Sequence, residues 1–350
     1  RTDQKPYSCH GVTADQYGRS FVDNDRGDLT CYAESDDGIN WVKPNLGIFT
    51  FNGSPDNNII WDLHGASVFI DRQEKDANKR YKAIGFCRRY RNIFLIVSAD
   101  GIHWDKPELG QVDFAGSTAN NIVDIGRTNC EGMAVLYDER DPDPGRRYKG
   151  FYWEHGGVDE FVEREDGGFL WGQGEGDGLW VSFSPDGVHW TQCPENPVMA
   201  RGSDTTQSLL WDPELEKYVV FGRLGIGGRK IARAHSQDCV HFSEPELVFE
   251  SDEVDEEGTQ FYGMPVDLYE GLYLGMVWVY REGVDGAIDT SLATSRDGIH
   301  WERTLDRQTF LSLGAPGSWE DGMVRVSQKF IVVEDQIYLY YGGVQGAHTG

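Results

Sequence analysis

Long apolar runs are missing from this 350-residue chain: no stretch approaches the roughly 20 residues that a helix needs to cross a bilayer, which excludes a helical membrane span from the sequence given. Positive charge is scarce, with 32 Lys and Arg against 58 Asp and Glu, a formal net charge of -26. The acids are spread along the chain rather than gathered in a tail, so they read as a solubilising surface. Such a polyanion is repelled by nucleic acid and by anionic membranes, and neither is expected as a partner. Cysteine is sparse and unpatterned. The six residues (Cys9, Cys31, Cys87, Cys130, Cys193, Cys239) form no CxxC pair and no zinc-type spacing. Cys31 and Cys87 fall in strand-like runs and are expected to pack as small apolar side chains; the compartment stays open between periplasm, secretion and cytoplasm. Helix-length periodic segments are few. The chain instead holds 43 Gly, 17 Phe, 16 Tyr and 11 Trp, a composition that favours an all-β class.

One short turn is written five times. Ser295-Arg296-Asp297-Gly298-Ile299-His300-Trp301 has counterparts at Ser35 to Trp41, Ser98 to Trp104, Ser184 to Trp190 and Ser236 to Phe242, the last with Cys239 where the others have Gly. An apolar run such as Phe94-Leu95-Ile96-Val97 precedes most copies. The pattern reads as strand, Asp-Gly turn and a returning strand that buries its aromatic residue. Successive copies start 63, 86, 52 and 59 residues apart, an irregular period that fits four-stranded blades with loops of different length. The five Asp residues are read as structural acceptors within their turns.

Tracing four strands per repeat gives a five-bladed β-propeller spanning residues 1–350 as a single domain. Inner strands are expected at residues 64–70, 131–137, 206–211, 261–266 and 322–326. The last inner strand is followed by strand-like runs at 330–333 and 337–341, one half-blade short. Residues 29–33, the first Asp-Gly turn and a strand at 58–60 supply the missing half. The N- and C-terminal segments therefore close one shared blade, which removes exposed sheet edges.

In this map the inner-strand starts and the loops joining second to third strands reach one funnel, while the Asp-Gly turns lie on the far face. Strand starts bring Asp62 and His64, Asn129 and Glu131, Asp204, Gln260 and Tyr262, and Trp319, Glu320 and Asp321. Loops bring Arg88 and Arg89, Trp153, Glu154 and His155, Arg223, and Tyr280 and Arg281. The insertion at residues 153–178 is long, acidic and Gly-rich, and is positioned to serve as a lid. Carboxylates opposed across a narrow funnel are equipment for glycosidic bond cleavage: one donates a proton, the other activates water or attacks. Each acid alone equally suits a strand-end cap or a channel water site, yet Glu131, Asp204 and Asp321 from three strand starts point to one axis. The arginines suit the carboxylate or sulfate of an acidic sugar, or else neutralise neighbouring acids such as Glu154 and Glu282. Trp153, Tyr262, Tyr280 and Trp319 suit stacking on sugar faces or core packing.

With these strand starts, with Trp319-Glu320-Asp321-Gly322-Met323 and with Tyr338-Leu339-Tyr340-Tyr341-Gly342-Gly343, the chain resembles the five-bladed propeller glycoside hydrolases, the group containing families 32, 43, 62, 68, 117 and 130. The turns resemble the Asp-box of sialidases with one residue fewer between Asp and Gly. Carried over by position, the family 43 pattern implies Asp321 as base, Glu131 as acid and His64 in the place of a pKa-tuning Asp. His64 departs from that pattern, so Asp62 or Asp204 would tune instead. The Asn-Asp-Pro-Asn and Arg-Asp-Pro motifs of family 32 are missing at the funnel; Arg140-Asp141-Pro142 has the letters but lies in the turn after an inner strand. The resemblance implies an exo-acting hydrolase on an oligo- or polysaccharide, needing no cofactor, with a channel cation such as calcium left open. A glycoside phosphorylase and a non-catalytic glycan-binding propeller are the rival expectations.

Overall fold

Runs of β-branched and aromatic residues set between Asp, Gly and Asn favour pleated strands over helices, and the chain is nearly all β. The computed structural model describes residues 29–61, 63–87, 92–114, 116–125, 130–154, 176–200, 205 and 207–348, with short strands at 12–14, 20–22, 161–163 and 169–171. The side chains of 64, 87, 130–132 and those four short strands lie outside the description. Three 3-10 turns are the only helical elements among the described residues. The chain divides into two compact units, Arg1–Pro197 and Val198–Gly350.

In the first unit, His64–Ile70, Tyr81–Cys87, Asn92–Ser98 and Trp104–Asp105 pair antiparallel in chain order, and so do Cys130–Tyr137, Tyr148–Glu154, Gly178–Ser184 and Thr191–Gln192. The second unit repeats the meander. Ser208–Asp212, Lys217–Gly222, Ile231–Ser236 and Glu246–Phe249 form one sheet, and Thr259–Gly263, Leu272–Arg281 and Ile288–Ser295 lead into another. The sequence map of inner, second, third and fourth strands is thus the observed order. Its fourth strand near residue 122 is only an isolated bridge from Phe94 to Ile122; the laddered strand is Trp104–Asp105.

Each repeated turn is a closed local network, which is why it reads so clearly in sequence. In the second copy the Asp100 carboxylate accepts from the N–H groups of Ile102 and His103, both at 2.8 Å, and from Ser98 Oγ at 3.0 Å. His103 Nδ1 meets its other oxygen at 2.8 Å. Ser98 Oγ in turn accepts from Gly101 N at 2.9 Å, and Trp104 Nε1 donates to Gly101 O at 3.0 Å. The Gly position is left-handed in four copies (Gly38, Gly101, Gly187 and Gly298, φ 70 to 78°), and Cys239 holds the same conformation at φ 60° in the fifth. The turn aspartates are structural, as expected.

Apolar faces of neighbouring sheets form the cores. Ile84, Phe86, Leu95 and Val97 pack with Met133, Tyr152, Trp180 and Trp190 in the first unit. Val219, Phe221 and Ile231 pack with Phe261, Met264, Tyr273 and Val277 in the second. Burying each such side chain contributes about 1.5–3 kcal/mol. A second repeated device, not anticipated from sequence, ties sheet to sheet. Tyr148 Oη donates to Asp71 at 2.5 Å, and Asp71 also accepts from the fully buried Lys82 at 2.5 Å. Tyr273 donates to Asp212 in the same manner in the second unit. The fully buried Lys149 bonds Asp141 at 2.8 Å, so the Arg140-Asp141-Pro142 stretch serves its turn.

The terminal segments differ in detail from expectation. Met323–Val326 pairs with Tyr341–Val344, and Ile331–Val333 pairs with Gln336–Tyr338 around Glu334 at φ 56°. The segments predicted as successive strands are one long hairpin. In the first unit, Thr30–Cys31 pairs with Ile59–Trp61. Cys31, expected to pack inside, is exposed on a strand of only two residues.

Candidate functional site

Antiparallel pairing places inner-strand starts beside second-strand ends, and the registers show it sheet by sheet. His64 is opposite Phe86, Glu131 opposite Trp153, Ser208 opposite Phe221, and Gln260 opposite Tyr280. His64, Glu131, Trp153, Gln260 and Tyr280 therefore each lie at one end of their own sheet, and the Asp-Gly turns, between third and fourth strands, lie at the other. Asp62, Arg88, Arg89, His155 and Asp204 lie outside the described residues, and His64 and Glu131 are described in backbone alone.

In the first unit, Tyr148–Glu154 runs along Cys130–Tyr137, with Glu154 opposite Cys130 on one side and Gly178 on the other. Glu154 is fully buried and Trp153 nearly so. Trp153 Nε1 donates to Asp177 Oδ1 at 2.7 Å, which pins together the two ends of the insertion. Within that insertion Phe161–Glu163 pairs with Phe169–Trp171 as a hairpin.

The second unit supplies a fully described cluster. A register shift between Phe261 and Gly263 re-aims Tyr262, and its ring lies 6.0 Å from Tyr280 in edge-to-face contact. Arg229 comes from the loop between second and third strands, whose Gly225, Gly227 and Gly228 are all left-handed. Its Nη1 bonds Gln260 Oε1 at 2.8 Å and Glu282 Oε1 at 3.1 Å, and Gln260 also bonds Glu282. The Arg229 guanidinium lies 5.0 Å from the Tyr280 ring and 5.6 Å from Tyr262; Arg223 covers Tyr262 at 5.3 Å. His348 completes the group, with Nε2 3.1 Å from the Tyr262 hydroxyl and its N–H bonded to Gly286 O at 2.8 Å.

The structure thus brings together Arg223, Gln260, Tyr262 and Tyr280 with Glu282, read in sequence as an acid for an arginine to neutralise, and adds Arg229 and His348, which the sequence reading had not placed there. Arg281 does not join them. Strand alternation turns it away from Tyr280, and it bonds Asp289 at 2.5 Å and Asp285 at 3.2 Å, so it serves to neutralise acids. Its pKa is pushed up by these bonds against the opposing effect of burial.

The acidic strand start lies in the adjoining loop. Asp321 Oδ1 accepts from Gly346 N at 2.9 Å and Oδ2 from Gly317 N at 2.6 Å. These backbone bonds, the one from Gly346 foremost, hold its carboxyl below the usual range. These bonds favour its ionised form. Tyr341 Oη donates to Glu320 at 2.9 Å, and Trp319, largely exposed, stacks on Tyr341 at 5.8 Å and 16°. Among the described residues no cluster of three His, Cys, Asp or Glu is placed to hold a metal ion, and no helix is long and apolar enough to cross a membrane.

No family model matches the chain, and no curated protein matches it. Solved structures similar to it include an N-acetylgalactosamine deacetylase from F. plautii, in complex with blood group B trisaccharide, at TM-score 0.49 and 17% identity over 81% of this chain and 80% of that one. Another is a thermostable family-43 glycoside hydrolase, at TM-score 0.45 and 12% identity over 82% and 95%. A third comes from the family-130 mannoside phosphorylases, described as containing glycoside hydrolases that target β-1,2 mannosidic linkages in Candida mannan, at TM-score 0.47 and 14% identity over 82% of each chain.

Proposed function

We propose that the chain is a glycoside hydrolase, exo-acting on an oligo- or polysaccharide, with its chemistry at the inner-strand starts. The observation that carries this reading is the second-unit cluster: two tyrosine rings, two arginines, Gln260 and Glu282 at one sheet end, with an ionised Asp321 in the adjoining loop. Aromatic faces and planar hydrogen-bonding groups suit a sugar ring, whose two faces are apolar and whose edge is hydroxylated. In this reading Glu131 is the general acid, Asp321 the base or nucleophile, and Asp204 or Asp62 tunes them. Glu131 is supported by its place at a strand start opposite Trp153. Arg223 and Arg229 would hold the carboxylate or sulfate of an acidic sugar; the same pair would suit phosphate in a phosphorylase, which phosphate-dependent turnover would reveal.

The test is a pair of isosteric variants, Glu131→Gln and Asp321→Asn. Both are expected to fold and to lose most turnover, a general acid–base group contributing about 10²–10⁴-fold. Folded variants with full activity on the substrate of the parent protein would overturn the assignment.

A further inference from the structure

At the end of the first unit away from the strand starts, a cleft of about 600 Å³ opens where His64–Ile70 and Cys130–Tyr137 finish. Its volume falls within the range of small-ligand sites, about 300–1,000 Å³. Ile70 and Tyr137 are exposed in its floor, and Arg72, Gln73, Glu139 and Arg140 stand exposed around them. The walls are cross-linked. Asp71 is held by Tyr148 and Lys82, Asp138 accepts from Arg140 Nε at 2.7 Å, and the Tyr137 ring packs on Tyr148 at 4.8 Å. Of the acids lining the cleft, Asp71 is paired with Lys82 and Asp138 with Arg140, while Arg72 and Glu139 bring one charge of each sign to its rim. In a chain of net charge -26, such pairing of the lining acids fits an uncharged ligand. Strands of seven and eight residues separate this cleft from His64 and Glu131, about 20 Å at 3.3 Å per residue.

We propose that this cleft is a second carbohydrate site that holds a neutral oligosaccharide chain. A sugar's apolar face lies on Tyr137 and Ile70, and its hydroxyls bond Arg72, Gln73 and Glu139, which offer planar donor and acceptor pairs. The choice of ligand rests on the carbohydrate reading above, while the site itself is independent of cleavage. The cleft would keep a polymeric substrate on the protein while the strand starts act on a chain end.

Affinity gel electrophoresis in soluble xylan, β-glucan and galactomannan, with polygalacturonate as the charged control, tests this directly. The proteins are the parent chain, Tyr137→Ala, the rim variants Arg72→Ala and Glu139→Gln, and Tyr262→Ala at the other end. At least one neutral polysaccharide should retard the parent and Tyr262→Ala alike. Tyr137→Ala should lose about tenfold in affinity, the scale of one aromatic contact, and the rim variants should weaken retention without a change in melting temperature. If Tyr137→Ala does not fold, the rim variants decide. Retention by polygalacturonate alone, retention unchanged in every cleft variant, or no retention of Tyr262→Ala in any neutral polysaccharide overturns the proposal. Loss of cleavage in Tyr262→Ala with retention intact would separate the fate of this site from that of the hydrolase reading.

Discussion

Removing the Asp71 carboxylate should be among the most damaging single changes in the first unit. Its two oxygens serve Tyr148, the fully buried Lys82 and the N–H of Gln73 at 2.9 Å. Burial pushes the Asp71 pKa up, and the bonds from Lys82, Tyr148 and Gln73 outweigh it, leaving the carboxyl below its ordinary value. Asp71→Ala leaves Lys82 with Glu74 alone, at 2.9 Å; a buried charge left with no partner costs about 3–5 kcal/mol, and the remaining Glu74 contact together with the lost Tyr148 bond puts this variant near the lower end of that range. Tyr148→Phe leaves the ion pair intact and removes one bond to a charged acceptor, about 1.5–3 kcal/mol. The two sites touch, so the double variant should fall short of additivity by roughly the value of the lost bond, about 1.5–3 kcal/mol. Urea unfolding monitored by tryptophan fluorescence, with m unchanged, gives all three values. If Asp71→Ala costs no more than Tyr148→Phe, or the two add without coupling, the network does not hold the sheets together as described.

Other expectations follow from single positions. All five turn aspartates have carboxyls held below the ordinary range by local bonds, with burial opposing them. A depressed folded pKa gives stability that is full above the unfolded value near 3.9 and is lost as pH falls through the folded value. Melting temperature should therefore drop below about pH 4, and Asp186→Asn should flatten that drop; an unchanged acid limb would contradict it. Gly298→Ala puts a Cβ at φ 70°, 3.0 Å from Phe221, and should cost more than the 1–2 kcal/mol of the backbone alone, whereas Gly110→Ala at φ 69° meets nothing within 4 Å and should cost only that; equal losses would refute the packing argument. Leu305, Asp306 and Arg307 are consecutive left-handed residues at φ 54, 50 and 66°, so Leu305→Gly should stabilise by up to about 1 kcal/mol, and destabilisation in thermal unfolding would show that the turn is not strained.

What could be read in the sequence was what is local. Ser184, Asp186, Gly187, His189 and Trp190 bond one another within seven residues, so their spacing alone reports the turn. Regular turns then give the meander, and the meander gives the sheet end at which Gln260 and Tyr280 meet. Contacts across long separations had no such mark. Arg229 reaches Glu282 and His348 reaches Tyr262 only once the sheets have packed. The Tyr148 to Asp71 bond spans 77 residues, although an Asp followed ten residues later by Tyr-Lys recurs at Asp71 and Asp138 and could have been noticed. Arg281 was separable from Tyr280 by strand alternation alone. The long C-terminal hairpin was missed because Glu334 turns left-handed without a glycine to announce it.

The most direct measurement is release of monosaccharide from a panel of neutral, uronic and sulfated oligosaccharides, with and without phosphate, by the parent protein and by Asp321→Asn. The account predicts phosphate-independent release of a terminal sugar, from an acidic substrate where Arg223 and Arg229 are intact, and its loss in Asp321→Asn. Binding without release across the panel, or release that survives intact in Asp321→Asn, would contradict it.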